Sequence, residues 1–189
     1  MRHSRQIHTL VLAALFLALG MVLPFFTGQI PQIGGMLLPM HIPALLCGLL
    51  CGWQYGAAVG FIMPLMRMSL FGMPLLVTAV AMAFELAAYG AIAGFLYSRS
   101  RWQCVVALYR SLIIAMVGGR LVWAAVRVVM TGVAQVPFTW ELFLSGALLD
   151  AVPGIILQLV FIPALMVALD RTGMVHFRRE KADARTARS

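Results

Sequence analysis

Six ionisable side chains fall inside long apolar stretches of this 189-residue chain: Arg67, Glu85, Arg110, Arg120, Arg127 and Asp150. His41 and Gln158 keep them polar company. An ionisable group at membrane depth is costly, so it is either paired or put to use. Arg120 and Arg127 are seven residues apart and share one helix face, with Trp123 and Ala124 between them. Guanidinium forks suit a carboxylate or a phosphate. Two compatible roles fit this set. In one, Glu85 and Asp150 neutralise the arginines and lock three helices together. In the other, the arginine face lines an outward pocket that holds an anionic solute. Against Arg67, Arg120 and Arg127, two acids leave one positive charge over, and an unpaired buried charge is costly. The expected substrate-binding set is Arg120, Arg127, Glu85, Asp150, Arg67, His41 and Trp123. Arg110 lies one or two turns from a polar turn and is expected to snorkel toward it.

Other chemistry finds little support. No nucleophile elbow, HExxH pair or nucleotide-binding loop is present. Ser145 has no nearby histidine, because His41 is the only histidine within an apolar stretch. No catalytic residue, metal ligand or cofactor is expected, and the chain reads as a non-enzyme. Cys47 and Cys51 are four apart but sit beside Gly48 and Gly52, as small packing residues do. The methionines near His41 read as ordinary apolar packing. With no ATP-binding site in the sequence, any active transport is expected to borrow its energy.

The elements that position these residues are membrane spans. Hydrophobic residues make up 62% of the chain and charged residues 11%, with a mean hydropathy of +0.96. A soluble domain needs a far more polar surface. The pattern predicts an all-α membrane protein with six transmembrane helices, over about 9–26, 41–51, 57–70, 75–97, 104–130 and 139–169. Gly/Pro-rich breaks at 27–39, 71–74 and 131–137 separate them, with a tight turn over 52–56 and a polar turn over 98–103. The second and third spans are short for about 30 Å of hydrocarbon, and are expected to tilt, pair as a hairpin or sit behind other helices. Residues 9–26 are expected to be a retained helix rather than a cleaved signal, since no small-residue cleavage site follows.

Residues 1–8 and 171–189 form polar tails around a 9–170 transmembrane domain. Eight of the fourteen basic residues lie in these tails, which accounts for much of the net charge of +8 without nucleic acid. Arg99 and Arg101 fall on the same side, whereas 27–40, 71–74 and 131–138 hold no Lys or Arg. The positive-inside rule therefore predicts a multi-pass protein of the cell membrane with both termini cytoplasmic and those three loops external.

The stretch MHIPALLCGLLCGWQYGAAVGFIMPLMR (40–67) resembles spans two and three of the substrate-binding (S) components of energy-coupling factor (ECF) vitamin transporters. There an IP-x-LL-x-G helix meets a G-x-x-x-G turn and a second glycine-rich helix. AMAFELAAYGAIAGFLY (81–97) is similar to their fourth span, and Ala14-x-x-x-Ala18 to the alanine motif of their first. The resemblance spans about residues 9–170. It implies an S-component fold whose spans four to six and external loops capture a vitamin or related micronutrient. It also implies partnership with a transmembrane T component, docked on Ala14 and Ala18, and with two ATP-binding subunits. Pantothenate, folate, niacin and biotin all fit an arginine-rich pocket. Two other functions remain open on sequence: an ion-coupled secondary carrier using Glu85 and Asp150, and an envelope scaffold whose buried charges are purely structural.

Overall fold

A computed structural model describes residues 2–26, 39–100, 105–134 and 152–171. Within them the chain forms six helices: α1 (Arg2–Phe26), α2 (His41–Cys51), α3 (Trp53–Phe71), α4 (Leu76–Arg99), α5 (Val105–Ala134) and α6 (Val152–Arg171). They overlap the six expected spans, but α5 runs on to Ala134, into the expected 131–137 break, and 139–151 of the sixth span lie outside the described residues. Three segments are long and apolar enough to cross a membrane: Gln6–Phe25, Leu76–Arg99 and Val105–Met130. His41–Cys51 and Gly154–Asp170 are shorter apolar helices. α3 has 19 residues, but Gln54, Gly56, Gly60 and Arg67 dilute its hydropathy.

The bundle is apolar on its outside, as a protein in lipid must be. Leu10, Val11, Leu75, Val106, Leu121 and Val160 are all at least 60% exposed. Large exposed apolar side chains on every helix but α2 are a fault in water but not in a bilayer.

The expected turn over 52–56 is shorter than the sequence suggested. Gly52 alone breaks the chain, at φ 101, a left-handed backbone that favours glycine. Trp53–Gly56 already form the first turn of α3, and the Gly56 amide donates to the Gly52 carbonyl. α2 and α3 are thus the expected hairpin. Pro43 lies in the first turn of α2, where no intrahelical donor is required of it.

The hairpin packs on α4 through missing side chains. A Cβ at Gly48 would strike the Gly90 carbonyl, one at Gly56 would strike Gly48, and one at Gly90 would strike the Gly56 carbonyl. Three backbones meet at this point, as small residues allow in membranes. α4 is the hub, packing extensively on α2, α3 and α5. α1 lies on α2 and α3, and α6 touches α5 and α2.

The brevity of α2 has a positional consequence. Eleven residues span only about 16 Å. Its first residue, His41, lies level with the middle of α4, beside Glu85. Residues 41–48 of α2 are all buried, so this helix is sheathed by its neighbours and need not match the bilayer thickness.

Candidate functional site

Glu85 sits near the middle of α4, nine residues from its start, or about 14 Å along the axis. It is 2% exposed. Arg120 is fifteen residues into α5, or about 22 Å, which matches the rise from the same end of α4 to Glu85. The two meet: Arg120 Nη1 is 3.1 Å from Glu85 Oε1. Gly119 permits this approach, because a Cβ there would come 2.9 Å from the Tyr89 ring. His41, at the start of α2, brings its Nε2 to 3.5 Å from the same carboxylate oxygen. Its ring meets that of Tyr89 edge-on, with centroids 5.1 Å apart. Tyr89 is one turn beyond Glu85 on α4, so the two side chains share one face of that helix. Three helices thus converge on one buried acid.

The convergence leaves hydrogen-bonding capacity unused. Glu85 Oε1, both ring nitrogens of His41 and Arg120 Nε are buried with no hydrogen-bond partner. For Glu85 this stands beside an ion-pair distance of 3.1 Å, so the contact is one of charge and proximity rather than an aligned hydrogen bond. Buried polar atoms are nearly always satisfied, and a cluster that is not points to a missing ligand or water.

The part of the α5 face nearer its C-terminal end behaves differently. Trp123 lies between two cations: the Arg120 guanidinium is 5.8 Å from its ring centroid and that of Arg127 is 5.5 Å away. All three side chains are partly exposed. The face expected from the seven-residue spacing is therefore present, with an aromatic ring between its two cations.

Arg67 does not join Glu85 by any contact. It is buried, and its Nη1 donates to the Met21 carbonyl at 3.0 Å. Its guanidinium also lies 5.1 Å from the Phe25 ring and 5.5 Å from the Phe71 ring. Pro24 interrupts the α1 ladder near this point, and Arg67 supplies a donor to the loosened turn. Arg110 is exposed, as a snorkelling residue should be. Asp150 lies outside the described residues. Ala14 and Ala18 are exposed on the outer face of α1, while Ala13 and Phe16 turn inward.

Tyr89 was not among the residues singled out from the sequence. Its signal was its place four residues after Glu85, which puts both on one helix face. Gln158 was noted as polar but left out of the set. It shares a face of α6 with Ile162, a core residue, and is 1% exposed.

The family model described as "ECF transporter, substrate-specific component" matches residues 8–169. The chain belongs to this family. No curated protein and no solved structure matches the chain. As a substrate-specific ECF component it is a membrane transport protein and not an enzyme. The glycine-tight contact of α2, α3 and α4 and the polar centre beside it are therefore parts of a solute-handling component.

Proposed function

We propose that this S component captures a small anionic vitamin or related micronutrient from the outer side of the cell membrane, between α2, α4 and α5. Uptake is then driven by a T component and two ATP-binding subunits. Both tails lie in the cytoplasm, six helices cross the bilayer, and the Gly/Pro-rich 27–40 segment is external. The observation that carries the substrate charge is the Arg120–Trp123–Arg127 face. Glu85 takes up one guanidinium of that face. Arg127 stands about 10 Å further along the axis, next to an aromatic ring that can stack on a planar solute. The exposed Ala14 and Ala18 stripe supports docking on another membrane helix, since small residues let backbones approach.

The protein purified without added solute should release a carboxylate on denaturation, identified by mass spectrometry, and should rebind it. Rebinding of an uncharged analogue with equal affinity contradicts an anionic substrate. Purification from its own membranes should also bring down a T component and ATPases. Isolation as a self-sufficient homodimer that transports in vesicles without ATP would instead favour an ion-coupled carrier.

A further inference from the structure

The start of α5 and the end of α6 face each other across an open groove of about 510 Å³. Val105 and Tyr109 line it from α5, and Val160, Ala164, Val167 and Ala168 from α6. The groove exists because α5 packs extensively on α4 but only lightly on α6, and because alanines at 164 and 168 leave the α6 wall low. Its lining is apolar apart from the Tyr109 hydroxyl, so a polar solute finds little to bind there. It also lies at the opposite end of α5 from Trp123 and Arg127. The surroundings of this end are basic. Arg110 follows Tyr109 and is exposed, and a helical side chain leans toward the N-terminus of its helix, here toward Val105. Arg99, at the end of α4, is exposed as well. Residues 171–189, which follow from the end of α6, carry six Lys and Arg against two acids. Asp170, the acid at the end of α6, is already engaged in the fold.

We propose that this groove seats one acyl chain of an anionic phospholipid, whose phosphate is held by Arg110. The chain fits because the walls offer apolar contact alone, in a volume of the order of one long acyl chain. Tyr109 stands at the junction, with its ring on the chain and its hydroxyl toward the headgroup, as aromatic residues do at membrane interfaces. A neighbouring helix would cover the alanines equally well, but an apolar helix has no use for the basic surroundings. A phosphodiester meets them with the opposite charge. The seated chain fills the gap between α5 and α6 and so braces two helices that pack lightly on each other.

Native mass spectrometry of the delipidated protein tests this, with dioleoylphosphatidylglycerol and dioleoylphosphatidylcholine as probes at equal concentration. The two share their chains and differ in net charge. The parent should retain one phosphatidylglycerol about tenfold more than phosphatidylcholine, the worth of one charge-assisted contact. Arg110→Gln leaves the groove intact and should bring phosphatidylglycerol down to the phosphatidylcholine level. Ala164→Phe fills the groove from an exposed position, so the unfolding temperature without lipid should stay as in the parent while the preference for phosphatidylglycerol is lost. Equal retention of both lipids by the parent would overturn the proposal. So would an Arg110→Gln or Ala164→Phe variant that keeps the parent's preference. If Ala164→Phe sheds a co-purifying membrane protein with its lipid preference unchanged, the groove seats a helix and the proposal falls. Should Ala164→Phe fail to fold, Arg110→Gln decides alone.

Discussion

Gly90 and Glu85 are five residues apart on α4, and they hold the bundle by opposite means. At Gly90 the backbones of α2, α3 and α4 touch because side chains are missing. Nothing polar but backbone is present, and there is no room for a solute. At Glu85, α2, α4 and α5 bring together a carboxylate, an imidazole, a phenol and a guanidinium, and four buried polar atoms lack hydrogen-bond partners. The first contact is complete and the second is not. The difference shows how a small bundle can bind: a rigid contact on one side of the acid fixes the backbones, so the polar groups beside it stay poised without partners.

The largest expected effect comes from breaking the closed side. Gly90→Val places a branched side chain against the Gly56 carbonyl, where only backbone lies opposite and cannot retreat. The penalty should exceed the roughly 1–3 kcal/mol typical of overpacking. No monodisperse protein should be recovered on size-exclusion chromatography. A well-behaved variant would mean that the three backbones are not in contact.

Glu85→Ala comes next. It leaves Arg120 without its carboxylate, and because Arg120 is partly exposed the loss should lie at or below the roughly 3–5 kcal/mol typical of breaking a fully buried pair. Thermal unfolding should drop sharply and solute binding should be lost. Glu85→Ala with Arg120→Met should recover much of the stability and none of the binding. Failure of the double variant to recover stability would show that Glu85 is not held mainly by Arg120.

A third contrast sets covered small residues against exposed ones. Ala18→Trp points away from the core, so folding and solute affinity should be unchanged. Assembly with the T component should fail on co-purification, because the ring blocks close helix approach. Normal assembly and transport by both Ala18→Trp and Ala14→Trp would remove α1 as the docking face.

Much of this was legible in the sequence, for physical reasons. Apolar runs broken by glycine and proline place helices well, and α2 begins and ends where the hydropathy pattern changes. The sequence matched two acids to the arginines only as a set, and the structure picks out Arg120 as the partner of Glu85. Arg67 illustrates what pattern cannot supply. It has the same residue type and burial as a ligand-binding arginine, yet its contacts are a backbone carbonyl and two phenyl rings. Only the three-dimensional meeting of α1 and α3 reveals that. Tyr89 was hidden for a related reason, since an aromatic on an apolar helix looks like packing until the acid beside it is seen to need a neighbour.

Arg67 and Arg127 give the smaller energetic effects and the sharper test. Arg67→Met should lower stability by about 1–3 kcal/mol through loss of a charged hydrogen bond, with solute affinity unchanged. Arg127→Ala should do the reverse. The decisive measurement is calorimetry of Arg127→Ala, beside Arg67→Met, with the solute that purifies with the protein. Loss of a charge-assisted contact of roughly 1.5–3 kcal/mol predicts about ten- to more than hundredfold weaker binding at an unchanged unfolding temperature. Lysine at position 127 should rescue only part of it, because the fork geometry is gone. A folded Arg127→Ala protein that binds its solute as tightly as the parent would contradict an anion site on this face.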